Sequence, residues 1–125
     1  MLINKKDIIA INQEIGENGL FQNESSLDFA LSIIKQKRAW LYELSYLVRS
    51  LLVDHVFQDG NKRTAFYIIL KCLKSINKTF TGRHKDLAYK IVDIAKSNST
   101  EKEIKILELA YFLKRHLKGS AEGDT

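Results

Sequence analysis

The stretch LYELSYLVRSLLVDHVFQDGNKRTAFYIILKCLKSI, residues 41–76, decides the fold. Leu44, Leu47, Val48, Leu51 and Leu52 recur at the three- and four-residue steps that line one face of a helix. Ala65, Ile68, Ile69, Cys72 and Ile76 repeat the pattern further on. Between the two stripes, Phe57-Gln58-Asp59-Gly60 breaks the period, and Asp-Gly is a frequent turn pair. The reading is helix, tight loop, helix. A third helix of the chain is expected over residues 41–56, with His55 closing its inward line, and a fourth over residues 61–76.

The same period continues on both sides. A first helix is expected over residues 4–17, with Ile8, Ile11 and Ile15 on one face and Gly16, Asn18 and Gly19 ending it. Residues 19–24 read as a loop, after which Ser25 or Ser26 is placed to cap a second helix striped by Leu27, Ala30, Leu31 and Ile34. Residues 77–83 form a turn with a short extended piece at 79–81, and a fifth helix covers 85–96. Ser99 or Thr100 caps a sixth, with Glu103 at the capping-box position, and it runs to about Lys118. Strand signals are scarce and proline is absent, which suits uninterrupted helices. The expected architecture is all-α: one compact domain of about six helices over residues 1–118, with a disordered polar tail at 119–125.

Composition narrows the classes. At 125 residues the chain has room for one ordinary domain. The single cysteine, Cys72, excludes an intrachain disulfide scaffold, and its place on a buried stripe makes it a core thiol. The first residues carry no apolar leader and no run is long enough to span a membrane, so the expected compartment is the cytoplasm. The net charge of +5 brings nucleic acid, membrane surfaces and phosphate-bearing ligands into consideration. The cations lie mostly beyond residue 35, and the segment before it is acidic.

The chemistry concentrates in residues 55–65, HVFQDGNKRTA. A helix start is an anion site, because its first N–H groups have no partner within the helix and its dipole end is positive. Gly60 permits close approach of the backbone to a ligand. Asn61 can cap the helix or donate to an anion, and Lys62 and Arg63 add two cations at the same mouth. Cations at that end oppose the helix dipole unless an anion joins them. Asp59 is a hard oxygen ligand suited to Mg²⁺ bridging phosphates. His55 is a base that works near neutral pH. Together these groups suit phosphoryl or nucleotidyl transfer.

This stretch resembles the Fic/Doc family, whose motif reads His-x-Phe-x-Asp/Glu-Gly/Ala-Asn-Gly/Lys-Arg. His55, Phe57, Asp59, Gly60, Asn61, Lys62 and Arg63 fill every specified position. Gly19-Leu20, Leu27 and Ala30-Leu31 resemble the segment upstream of the site in Doc-like members, and the likeness extends over most of residues 14–118. Two positions set the subgroup. Nucleotidyl-transferring members usually have Gly where this chain has Lys62, and a second Arg, which holds a terminal phosphate of ATP, where it has Phe66. Lys62 followed by an apolar residue is similar to the Doc toxins. Val56 stands where many members have proline.

The resemblance implies a kinase on an all-α scaffold that uses ATP and Mg²⁺ to phosphorylate a Ser/Thr hydroxyl, with elongation factor Tu as the target. It implies His55 as the general base, Asp59 as the Mg²⁺ ligand, and Gly60, Asn61, Lys62 and Arg63 as phosphate binders. Phe57 would hold the loop, and residues 19–24 would form a flap that aligns the target by backbone pairing. Many members carry a self-inhibitory Ser/Thr-x-x-x-Glu-Gly/Asn. Here Ser99 to Glu103 has the spacing but Ile104 follows, and Glu17-Asn18 has the ending but Gln13 precedes it. Inhibition by a separate antitoxin chain is therefore expected.

Competing readings exist. AMP transfer to a protein hydroxyl is the alternative enzyme, separated from the kinase by which phosphate of ATP is retained. A basic helical module binding nucleic acid is suggested by charge, but the middle of the fourth helix is apolar where readers would be needed. A catalytically silent member that only pairs with a partner is the third class. His84 and His116 have no partners at metal-ligand spacing, the lysines of residues 71–118 read as solvated faces, and Trp40 and Tyr42 read as packing or a partner surface.

Overall fold

The computed structural model describes residues 3–35 and 39–119. Its helices are α1 (Lys5–Glu14), α2 (Glu24–Lys35), α3 (Trp40–Val53), α4 (Asn61–Ser75), α5 (His84–Ala95) and α6 (Lys102–Arg115). Two short strands, β1 (Lys78–Phe80) and β2 (Leu117–Gly119), complete it. The all-α, single-domain expectation holds.

The hub is α3. All ten residues from Glu43 to Leu52 are buried, and the helix packs against α2, α4, α5 and α6. A helix enclosed on every side has little need of a polar face. Leu44, Leu47, Val48 and Leu51 meet Ile68 and Ile69 of α4, Leu87 and Ile91 of α5, and Ile106 and Leu109 of α6 in one continuous core. Trp40 and Tyr42 pack against its edge, with the Tyr42 hydroxyl 3.0 Å from Glu103. Cys72 is buried among these side chains, and burial pushes its thiol up to about 11, so it stays a neutral core group. Among the described residues no helix is long and apolar enough to cross a membrane.

Several boundaries differ from expectation for identifiable reasons. The first helix stops at Glu14, with Ile15 as its C-cap. Asn23, not Ser25 or Ser26, opens α2: its side-chain oxygen accepts from the Ser26 N–H and the Ser25 hydroxyl. The third helix ends at Val53, three residues short. Asn98 caps a single 3-10 turn, Ser99–Glu101, and its own N–H donates to the Glu101 carboxylate, so Thr100 and Glu103 do not form the box. The sixth helix stops at Arg115 because the chain turns back to pair with β1, Lys78 facing Gly119 and Phe80 facing Leu117. Phe80 packs there against the rings of Phe112 and His116. Gly119 thus belongs to the domain; the rest of the expected tail, 120–125, lies outside the described residues.

Candidate active site

The site is built where α3 ends and α4 begins. Asp54 caps α3, and its carboxylate receives Arg49 Nη1 at 3.2 and 3.3 Å and the Ser26 hydroxyl at 2.6 Å. Asn23 Nδ2 donates to the Asp54 carbonyl at 3.1 Å. Arg49 is 2% exposed, so this pair pins the start of α2 to the end of α3 from inside the protein. The next residue, His55, takes φ +54. That left-handed conformation is uncommon outside glycine and costs about 1–2 kcal/mol. It explains why His55 does not extend the inward line of α3 as expected: the turn throws its side chain out of the core, and the residue is exposed. Val56 goes inward instead, with no exposure.

The inner side of the loop is tied down. The Val56 carbonyl accepts from the N–H groups of Gln22 and Asn23, and the Gln58 N–H donates to the Leu20 carbonyl. Phe21 stacks on the buried Phe57 ring, centroids 5.3 Å apart. The loop at 19–24, expected to pair with a target, therefore pairs with the chain's own residues 56–58. Asn61 does not cap α4. Its side-chain oxygen accepts from the Phe57 N–H at 3.0 Å and its amide donates to the Phe57 carbonyl at 2.9 Å. The N-cap is Gly60, at φ +80. A Cβ there would lie 2.6 Å from Glu17 Cγ and 3.3 Å from Asn12 Nδ2, so both backbone angle and space call for glycine.

Asn12 is the central clasp. It is wholly buried on α1, and its amide donates to the Asp59 carbonyl at 3.0 Å and to Thr64 Oγ1 at 3.1 Å. Its oxygen accepts from the Gly19 N–H at 2.9 Å. One side chain thus joins α1, the 19–24 loop, the Asp59 turn and the first turn of α4.

The outer side opens on a cavity of about 400 Å³ lined by Leu52, His55, Gln58, Asp59, Gly60, Asn61 and Lys62, and by Val92 and Ala95 of α5 with its C-cap Lys96. His55, Asp59 and Lys62 are all exposed there. No side chain caps α4, and its N-cap and first residues, Gly60, Asn61 and Lys62, line the same space. Asp59 is the one carboxylate among the described residues lining it. A single carboxylate beside cations does not form an all-protein metal cage, and the described residues contain no cluster of three or more metal-ligating side chains. It does fit Mg²⁺ held jointly by one carboxylate, phosphate oxygens and water.

Arg63 points elsewhere. Its Nη2 donates to the Ile15 carbonyl at 2.8 Å, and the residue lines a second cavity beside the first. Glu17, which carries the incomplete inhibitory ending, packs against Gly60, while Glu103 is engaged by Tyr42. His84 lies edge-on to Phe66, and the His116 ring bonds the Phe112 carbonyl. Asn12, Asp54 and Lys96 lie outside the motif. Asn12 left a trace, a polar residue in line with Ile8 and Ile11. Lys96 left none, because only the packing of α5 brings it to the cavity. No family model, curated protein or solved structure matches the chain.

Proposed function

We propose that the chain is a protein phosphotransferase that moves the terminal phosphate of ATP to a Ser/Thr hydroxyl. The observation that carries this reading is the convergence of His55, Asp59 and Lys62 on the uncapped start of α4 within one cavity. His55 takes the proton of the incoming hydroxyl as its oxygen bonds to the terminal phosphorus. The bond from that phosphorus to the bridging oxygen breaks, and ADP leaves. Lys62 and the first N–H groups of α4 neutralise the charge that builds on the phosphoryl oxygens. Asp59 would hold Mg²⁺, which when bound draws charge from the phosphate oxygens. Arg63 joins the phosphates by exchanging its Ile15 partner for them.

Lys62 and Phe66 favour phosphoryl over AMP transfer, since an aromatic ring at position 66 offers no charge to a further phosphate. Elongation factor Tu is the target that the resemblance implies, and an antitoxin chain is the implied source of inhibition. Incubation with γ-labelled and α-labelled ATP, followed by mass spectrometry of the target, tests the reading. Retention of γ label and a gain of about 80 Da are expected; α label and about 329 Da would replace the kinase by an AMP transferase.

A further inference from the structure

The sixth helix is apolar on two sides. Ile106, Leu109, Phe112 and Leu113 face the core. On the opposite side Ile104, Leu107 and Tyr111 follow one another at steps of three and four residues, and they are 66%, 44% and 64% exposed. The other large apolar side chains left exposed among the described residues, Leu20, Phe29, Tyr67 and Tyr89, stand one to an element. A helix on the surface of a single domain needs one apolar stripe, and a second one is a contact surface.

Charge flanks this second stripe unevenly. Glu103 is exposed in the first turn, and Lys114 and Arg115 are exposed in the last. One Glu103 oxygen receives the Tyr42 hydroxyl at 3.0 Å, which holds the side chain and leaves its other oxygen for a cation. Glu103 and Lys114 are eleven residues apart. That is three turns, so they stand on one line about 16 Å apart. Between them, Glu108 is balanced within the chain by Lys90 at 3.0 Å and Lys105 at 3.1 Å.

We infer that this face of α6 pairs with the same face of a second copy of the chain, the two helices antiparallel. Reversing one helix sets Glu103 of each copy beside Lys114 of the other, so two ion pairs bracket the seam. In that register Leu107 of each copy packs on Tyr111 of the other. A parallel pair would oppose like charges at both ends, whereas antiparallel helix dipoles attract. The contact uses one patch twice and closes on itself. It is a single helix long, about 21 Å, which is short of a standard interface, so the association is weak and depends on concentration. No described residue of α6 lines the polar cavity, so pairing leaves that cavity open.

Sedimentation equilibrium of the full chain, from about 5 to about 500 µM, tests the pairing. Dimer is expected to accumulate across that range. Leu107→Glu should stay monomeric with unchanged thermal stability, because residue 107 is half-exposed and glutamate is a good helix former. Glu103→Lys and Lys114→Glu, each alone, should weaken association by about fivefold or more, and the variant carrying both should restore it. A chain that is monomeric throughout, an open polymer in place of a dimer, or a dimer indifferent to Leu107→Glu overturns the pairing. A double variant no tighter than the single ones overturns the antiparallel register.

Discussion

At the start of α1, Asn4 accepts from the Asp7 N–H at 2.9 Å and Asp7 accepts from the Asn4 N–H at 3.0 Å. At the start of α4 the N-cap is a glycine, no side chain caps the helix, and the first turn holds Lys62 and Arg63. The first turns of the other α-helices share with α1 the presence of an acid, Glu24, Glu43, Asp86 and Glu103, although those of α1, α5 and α6 hold lysines as well. An acid there lowers the energy of the helix dipole, and a cation raises it. Among the described α-helices, α4 is thus the one whose first turn holds cations and no acid, beside His55 and Asp59. This start is tolerated because the inner side of the same loop is over-determined by Asn12, Asn61 and the Asp54–Arg49 pair. Rigidity is supplied from within, and the outer face stays open to the cavity.

The largest expected effect separates chemistry from architecture. His55→Asn replaces the base by a residue that also accepts the left-handed conformation. Phosphoryl transfer should fall by about 10²–10⁴-fold with no loss of thermal stability; retained transfer would remove His55 from the mechanism. Next comes the clasp. Asn12→Ala strands the Thr64 hydroxyl and the Gly19 N–H, and should cost about 1–3 kcal/mol in urea unfolding. A change near zero would mean that the loop holds itself. Asn4→Ala, at the ordinary helix start, should cost about 1 kcal/mol and leave nucleotide binding untouched. Lys62→Asp gives α4 the kind of start the other helices have. Stability should rise by about 0.3–1 kcal/mol while ATP affinity drops. A variant that loses both would show that Lys62 serves the fold.

Much of this was legible in residues 41–76. The two apolar stripes place α3 and α4 because helical period is a local property. The motif names His55, Asp59, Gly60 and Lys62, and all four line the cavity. What the pattern hid was longer in range. The end of α3 depends on an Asp54–Arg49 pair completed by Ser26 and Asn23, from another helix and its cap. Asn61 reads as a cap by position, yet the closed loop sets the Phe57 backbone within its reach. Arg63 reads as a phosphate ligand, yet the Ile15 carbonyl, brought in by α1, holds it in this state. The strand pair at 78–80 and 117–119 is too short to show a period of its own.

On the proposed function, the start of α4 holds phosphate and the start of α1 does not. Backbone amide resonances followed during titration with ATP and with tripolyphosphate test it directly. The N–H signals of Asn61, Lys62 and Arg63 should shift and saturate together, with those of Lys5, Lys6 and Asp7 unmoved. Shifts of equal size at both helix starts, or none at residues 61–63, would rule out a phosphate site at α4.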